Sequence, residues 1–159
     1  MEGYDQLVIE EPSPSLLYEI WLLSSSTQMI LDRLGADSAI SADEIAVLTT
    51  LRFGNGVSQK QIAELTNLRR STLSMMLGRL EKAGLASRKT NPRDARSRIF
   101  SITAEGDRIL DQLVVGIFNI ENAYADRVGE SREQAVQTLF ELRRNVLQAG
   151  ISELEKVGK

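Results

Sequence analysis

Residues 58–84, SQKQIAELTNLRRSTLSMMLGRLEKAG, decide the fold of this 159-residue chain. The stretch opens with the form S-x-x-Q, which is typical of a helix capping box, and Ile62, Ala63 and Leu65 follow at helical spacing. This short helix is expected to end near Asn67, since asparagine readily takes the conformation that terminates a helix. A turn of three or four residues then separates it from the next apolar pattern.

The second half of the stretch predicts another helix. Its apolar positions Leu73, Met76, Leu77 and Leu80 share one face, and Gly84 supplies a stop. Two short helices joined by so tight a connection are a helix-turn-helix, whose second helix reads the major groove of DNA.

A basic hairpin is predicted directly after it, in residues 87–100, SRKTNPRDARSRIF. Residues 85–90 and 98–102 have strand character, and Asn91-Pro92 starts the turn between them. The tip carries Arg93, Asp94 and Arg96. A helix-turn-helix followed by such a hairpin is a winged helix.

Longer helical patterns flank this core. Residues 15–34 form a first helix after PSPS, and the S-x-x-E form at residues 41–44 begins a second that runs to Gly54. Thr103 and Ser131 are expected to cap two long helices. The long helices have more apolar surface than one small domain needs, which favours a partner subunit, with a monomeric helical bundle as the alternative. The predicted fold class is mainly α with a small β-hairpin wing, a winged helix-turn-helix core between long dimerisation helices.

Charge is segregated along the chain. Residues 52–98 hold 11 basic and three acidic residues, a net of +8, whereas the whole chain has a net charge of −3. The rest of the chain therefore carries −11. A basic module in an acidic frame is the electrostatic pattern of a protein that binds a polyanion, although a lone basic run is often only a solvated face.

The composition excludes several classes of function. The chain has no cysteine and no histidine, so it lacks disulfides, thiol redox sensing, Cys or His nucleophiles and the usual zinc ligands. No nucleophile elbow, phosphate loop or acid pair indicates an enzyme, and no metal or cofactor is predicted. The N-terminus lacks the features of a signal peptide, and no tract is long and apolar enough for a membrane span, so we expect a soluble intracellular protein.

The candidate DNA-binding residues follow from this geometry. On the second helix, Arg70 suits a guanine or a phosphate, the hydroxyl side chains suit phosphates or bases, and Met75 suits a thymine methyl or packs at the helix edge. On the hairpin, Arg96 is predicted to enter the minor groove, and Asp94 to orient an arginine or stabilise the turn. The predicted helix contacts are Arg69, Arg70, Ser71, Thr72, Ser74, Met75 and Arg79, and the predicted wing contacts are Arg88, Lys89, Arg93, Asp94, Arg96 and Arg98.

At these residues the chain resembles the MarR (multiple antibiotic resistance regulator) family of bacterial transcription factors. The matching forms are R-S-T-L-S followed by LEKAGL on the helix, and D-x-R followed by S-I-T-A-E-G on the wing. The chain departs from the family at Arg69, where a Ser, Asp or Asn helix cap is common, and at Met75, which replaces a commonly polar residue. The family's DNA sequence preference therefore does not carry over.

The resemblance implies a cytoplasmic bacterial homodimer, bound at the nucleoid to a pseudo-palindromic operator on double-stranded DNA. It implies repression that a small aromatic or anionic ligand relieves. The domains expected are an N-terminal tail at 1–14, a dimerisation helix at 15–40, the winged helix-turn-helix at 41–103 and C-terminal dimerisation helices at 104–159. An apolar cavity lined by Tyr18, Trp21, Arg52, Phe118 and Tyr124 is the candidate ligand pocket, with plain core packing of the aromatics as the alternative. A winged helix that binds protein instead of DNA is the alternative function.

Overall fold

The computed structural model describes residues 15–92, 94–129 and 131–157. Within these ranges the chain is mainly helical with a small antiparallel sheet, and the predicted fold class is confirmed. The helices are α1 (Leu16–Gly35), α2 (Ala42–Gly54), α3 (Gln59–Thr66), α4 (Arg70–Lys82), α5 (Ala104–Val128) and α6 (Arg132–Val157), and the strands are β1 (Val57–Ser58), β2 (Ala86–Asn91) and β3 (Asp94–Ile102). The predicted N-terminal tail lies outside the described residues.

Hydroxyl side chains start the helices where the sequence predicts them. Ser41 and Ser58 form complete capping boxes with Glu44 and Gln61, because each pair exchanges side-chain and backbone hydrogen bonds. Thr103 Oγ1 accepts the N–H of Gly106 at 3.1 Å at the start of α5. Each bond satisfies an N–H group that has no partner within its own helix, so these residues fix the helix boundaries.

The sheet is larger than the predicted hairpin. Its strand order is β1-β3-β2, and β1, which the sequence analysis missed, pairs Val57 with Phe100 and Ser58 with Ile99. Two residues are too few to show an alternating pattern, which explains the omission. Strand β3 also begins at Asp94, four residues earlier than predicted; its pairing with β2 shifts register after Thr90–Arg98 and ends at the Asn91–Asp94 pair.

One apolar core holds the helix-turn-helix, the sheet and the start of α5 together. The three most buried side chains of α4 are Leu73, Leu77 and Leu80, each at most 2% exposed. Burying a leucine side chain stabilises a fold by about 1.5–3 kcal/mol, so this stripe fixes which face of α4 points inward. The core consists of Ile40, Ile45, Val47, Leu48, Leu51, Val57, Ile62, Leu73, Leu77, Leu80, Leu85, Ala86, Phe100, Leu110 and Leu113.

A close backbone contact joins the sheet to α5. Leu85 carbonyl oxygen accepts the N–H of Thr103 at 3.1 Å, and Thr103 Oγ1 donates to the carbonyl oxygen of Gly84 at 2.6 Å. Gly106 packs against the same segment, where a Cβ would collide with the Leu85 carbonyl and lie 2.9 Å from Ile102 Cγ1. The absence of a side chain at residue 106 therefore lets α5 approach the sheet.

The chain divides into two compact units, one ending at Leu113 and the other beginning at Val114. The first unit extends ten residues beyond the end predicted for the winged-helix domain. The reason lies in the core, because Gly106, Leu110 and Leu113 on α5 are buried. The start of α5 thus belongs with the winged helix by its packing.

We predict that Gly106→Ala lowers the free energy of unfolding by about 1–3 kcal/mol, because the added methyl group must displace the Leu85 carbonyl. Gly78→Ala in α4 is the matched control, since a Cβ there meets no atom within 4 Å, and helix propensity should raise stability by up to about 1 kcal/mol. Urea denaturation followed by circular dichroism measures both values. Equal stabilities for the two variants would contradict the close approach at residue 106.

Candidate nucleic-acid interface

Helix α4 exposes the face that the sequence predicts. Opposite the buried leucine stripe, Arg69, Arg70, Ser71, Ser74 and Met75 are exposed and Thr72 is half-buried. The Met75 side chain is 73% exposed, so little of it packs against the protein. The exposed surface near the start of α4 therefore combines two cations, three hydroxyl groups and one thioether.

The turn before α4 is held by Asn67 and Gln59. Asn67 takes the left-handed conformation, with a φ of +57°, and ends α3. Gln59 Nε2 donates to the Arg70 carbonyl oxygen at 3.2 Å, which ties the beginning of α3 to the beginning of α4. Arg69 occupies the cap position of α4 and forms no side-chain cap, so no side chain at that position covers the first N–H groups of the helix. Such N–H groups attract phosphate oxygens.

The wing tip is shaped by its own polar side chains. Asp94 Oδ1 accepts the backbone N–H of Arg96 at 3.0 Å, an Asx turn that fits the second of the two roles predicted for Asp94, stabilisation of the turn. Asn91 Nδ2 donates to Ser97 Oγ at 2.9 Å across the hairpin, a bond that the sequence analysis missed. Arg96 is exposed beyond these residues. The predicted contact Arg93 lies outside the described residues.

The strands of the wing present three cations with different partners. Arg88 Nε lies 3.2 Å from Glu81 Oε1 of α4, so this guanidinium is ion-paired within the fold, and its predicted contact with DNA stays a prediction. Arg98 Nη1 donates to Thr90 Oγ1 at 3.2 Å on the neighbouring strand. Lys89 is exposed. The wing is thus anchored to α4 by one of its own arginines.

Arg79 is hydrogen-bonded to Glu44, and its predicted contact with DNA stays a prediction. Its Nε donates to Glu44 Oε1 at 2.6 Å, and its Nη2 donates to the other carboxylate oxygen. Burial raises the pKa of Glu44, but the hydrogen bonds from Arg79 and from the backbone N–H of Ser41 outweigh it, so the pKa falls below the usual 4.5. The sequence identified Glu44 only as a capping residue, since no local pattern reveals a partner 35 residues away.

Arg52, predicted to lie at a ligand cavity, is also paired. Its Nε lies 2.5 Å from Asp107 Oδ1, and its Nη2 donates to the Asp111 carboxylate and to the Asp107 carbonyl oxygen. The hydrogen bonds that Arg52 donates to these two carboxylates raise the pKa of its guanidinium, which stays cationic. Its charge is therefore balanced by α5, and it clamps the end of α2 to the beginning of α5.

The aromatic residues predicted for the same cavity belong to different compact units. In the first unit, Tyr18 and Trp21 stack with ring centroids 6.0 Å apart, and both are exposed on α1. In the second unit, the Arg132 guanidinium lies 5.1 Å from the Phe118 ring centroid, and Tyr124 is exposed. The ligand cavity stays a prediction.

These contacts sort the basic residues of the winged helix into two groups. Arg52, Arg79 and Arg88 are held by carboxylates from other elements, and Lys60 lies 3.8 Å from Glu64 on its own helix. In the part of the chain that the structure describes, five exposed cations of this region form no ion pair: Arg69, Arg70, Lys82, Lys89 and Arg96. They come from α4, β2 and the wing tip, the elements that a winged helix presents to DNA.

Comparison with known proteins agrees with this geometry. A sequence model of the MarR family matches residues 40–97. The transcriptional regulator HosA of Escherichia coli O111:H- is 29% identical over 99 residues, covering 62% of this chain and 73% of HosA. The uncharacterized HTH-type transcriptional regulator YdgG of Bacillus subtilis is 27% identical over 115 residues, covering 71% of this chain and 76% of YdgG.

Solved structures share the fold. A crystal structure of MarR superposes with a TM-score of 0.76 at 18% identity, covering 87% of this chain and 95% of that one. MepR of S. aureus, solved with DNA, gives 0.69 at 19% identity, covering 86% and 99%. NadR, solved with 4-hydroxyphenylacetate, gives 0.73 at 18% identity, covering 86% and 94%.

The fold and the basic surface define a winged-helix DNA-binding protein, the class of the transcriptional regulators that it matches in sequence. Its residues 40–97 match the MarR family, and the relatives HosA and YdgG that it resembles in sequence are transcriptional regulators, which are not enzymes.

The buried Glu44 carboxylate predicts an acid-sensitive stability. Its pKa is lowered in the folded chain, so its stabilising effect is complete above about pH 4.5 and is lost as the pH falls through the folded-state pKa. We expect Glu44→Gln to lower the free energy of unfolding at pH 7 by about 1–3 kcal/mol, because it removes a charge-assisted hydrogen-bond acceptor, and this deficit should shrink below pH 4.5.

Denaturant unfolding at a series of pH values measures the deficit. The control Glu64→Gln removes an exposed carboxylate from α3 and should change stability by less than about 0.5 kcal/mol at pH 7. A deficit for Glu44→Gln that stays constant down to pH 3 would show that the carboxylate charge contributes nothing.

Proposed function

We propose that the protein is a homodimeric, sequence-specific DNA-binding repressor that a small aromatic or anionic ligand releases from its operator. One observation carries the DNA-binding part: within the described ranges, the five exposed cations that form no ion pair lie at the two ends of α4, on β2 and at the wing tip, whereas other cations of the same module are held by carboxylates. Cations left unpaired in an otherwise acidic chain favour the binding of a polyanion.

In this proposal α4 enters the major groove by its N-terminal half. Arg70 makes a bidentate contact to a guanine or holds a phosphate, and Ser71, Thr72 and Ser74 donate to phosphates or base edges. Met75 lies against a thymine methyl group. Arg70 and Met75 lie on adjacent turns of α4, so a polar and an apolar side chain together can distinguish more than one base pair.

The wing supplies the second contact. Arg96 stands at a hairpin tip whose shape is set by Asp94 and by the Asn91–Ser97 hydrogen bond. We place its guanidinium in the minor groove, where a narrow groove concentrates negative potential. Lys89 and Lys82 then neutralise phosphates and add to affinity without reading sequence.

Dimerisation is supported by the apolar surface of the long helices. On α6, Val136, Phe140, Leu147, Ile151 and Leu154 are all about half exposed or more and recur at a spacing of three, four or seven residues, which makes one stripe. None of the helices in the described ranges is both long and apolar enough to cross a membrane. A second copy of the chain is the occupant that fits such a stripe, and two copies would present two α4 helices to a pseudo-palindromic operator.

Control by a ligand is supported by chemistry rather than by a defined cavity. Tyr18 and Trp21 form an exposed aromatic pair in the first unit, and the structurally similar NadR was solved with 4-hydroxyphenylacetate, an aromatic anion. A ligand of that class releases DNA if it binds better to a form of the dimer whose α4 helices no longer match the half-site spacing. The proposed place of action is the bacterial cytoplasm, at the nucleoid when DNA is bound.

Arg70→Ala and Arg96→Ala are each predicted to weaken binding to the best genomic duplex by about 1–3 kcal/mol, because each removes a side chain that touches a base. Fluorescence anisotropy over a range of salt concentrations measures the affinity. The control Lys156→Ala removes a cation of α6 that pairs with Glu153, and it should bind as the unsubstituted protein does. A protein that captures a stable protein partner and binds no duplex would instead fit the alternative interaction module.

Ile151→Asp is predicted to convert the dimer to a monomer, because an aspartate in the centre of an apolar interface is buried without a partner. Sedimentation equilibrium of the unsubstituted protein should give twice the chain mass. Asn145→Asp adds the same charge to α6 away from the apolar stripe and should leave the dimer intact. A monomer mass for the unsubstituted protein at tens of micromolar would favour the monomeric bundle.

A further inference from the structure

We propose that Glu44 and Arg79 form a positioning pair that fixes the rotation of α4 about its own axis, so that Arg79 acts on DNA recognition through Glu44 and is not itself a DNA ligand. This positioning role rests on the proposed DNA-binding function. The distribution of charge along the sequence does not indicate such a role for Glu44 or for Arg79.

The geometry of the pair is that of a fixed acceptor. The Glu44 side chain is 2% exposed, and its two oxygens receive two different nitrogens of one guanidinium. Parallel N–H···O bonds of this kind set the orientation of both groups as well as their distance. Because an arginine guanidinium is planar, this fork fixes how the side chain leaves the helix.

Glu44 cannot turn away from Arg79 without disrupting α2. Its Oε2 also accepts the Ser41 N–H at 3.1 Å and the Ser41 hydroxyl at 3.3 Å, as the capping box requires. The same helix start is held by α1, since Asp32 Oδ1 accepts the Ala42 N–H at 2.6 Å. The carboxylate that receives α4 is therefore anchored by two other helices.

Arg79 forms its ion pair with Glu44 from the exposed part of α4. It lies one turn beyond Met75, and its side chain is 63% exposed. On the other flank of the helix, Glu81 pairs with Arg88 of β2 at 3.2 Å. Positions 79 and 81 are about 200° apart around a helix, so the two pairs hold α4 from opposite sides.

The consequence for reading DNA is geometric. Side-chain ends lie about 5–6 Å from a helix axis, so a rotation of about 10° moves the ends of Arg70, Ser74 and Met75 by about 1 Å. Displacements of that size break aligned hydrogen bonds to base edges, but they scarcely change attraction to phosphates, which acts over longer distances. Loss of the pair should therefore reduce specific binding far more than non-specific binding.

The decisive variant is Glu44→Gln, because the two roles of Arg79 predict opposite results. If the pair positions α4, Glu44→Gln weakens binding to the best genomic duplex at least tenfold, leaves binding to random-sequence duplex within twofold, and leaves the salt dependence unchanged. If Arg79 is a DNA ligand, the same variant releases a cation and tightens binding to both duplexes, which would overturn the inference.

Arg79→Lys and Arg79→Met complete the test. Lysine keeps the charge but cannot donate the two parallel hydrogen bonds to Glu44, and methionine has neither the charge nor the donors. The positioning role therefore predicts that both variants lose specificity, with no change in the slope of log affinity against log salt. A phosphate contact predicts that lysine binds as arginine does, and that methionine lowers the slope of log affinity against log salt by about 0.9 per site.

Two controls separate the possible failures. Glu105→Gln removes an acid from an exposed Glu–Arg pair on α5 and should leave both affinities unchanged. Circular dichroism at the assay temperature establishes that each variant is folded. If Glu44→Gln does not fold, the two Arg79 variants, whose substituted side chain is exposed, test the inference in its place. If the unsubstituted protein does not prefer any genomic duplex, the proposed function fails and this inference with it. If it does prefer one and Glu44→Gln binds equally well, only the inference fails.

Discussion

The burial of Leu73, Leu77 and Leu80 is the constraint on which the rest of the structure depends. These side chains seat α4 in the core, so its opposite face must lie at the surface. This stripe fixes which face of α4 points inward, but apolar contacts are non-directional and set the angle of rotation less sharply than hydrogen bonds do. Directional bonds at the flanks, from Glu44 to Arg79 and from Glu81 to Arg88, add the angular restraint that the core lacks.

Charge and structure are connected in the same region. The +8 of residues 52–98 overstates what DNA would meet, because Arg52, Arg79 and Arg88 are neutralised by carboxylates within the fold. Three of those carboxylates, Glu44, Asp107 and Asp111, come from outside the basic segment. Part of the acidic frame therefore holds the basic module together instead of merely surrounding it.

The sequence predicted the features that short-range physics controls. The capping boxes at Ser41 and Ser58 and the inward leucines of α4 depend on residues fewer than ten positions apart, as does the turn stabilisation that was one of two roles predicted for Asp94. It did not predict β1, whose pairing with β3 spans more than 40 residues, nor the partners of Arg52 and Arg79. A guanidinium that binds a phosphate and one that binds a distant carboxylate have the same local sequence, so only the fold separates them.

The chemistry of the exposed face of α4 limits how such a surface can discriminate between DNA sequences. Cations at Arg69, Arg70 and Lys82 attract any duplex, because phosphates are the same at every step. Hydroxyl groups at Ser71, Thr72 and Ser74 can donate or accept, and so distinguish bases weakly. Discrimination must then come from placing Arg70 and Met75 accurately against a few base edges, and accurate placement depends on how firmly the helix is held. When few side chains of a recognition helix discriminate strongly between bases, sequence specificity depends most on how rigidly that helix is held against the rest of the protein.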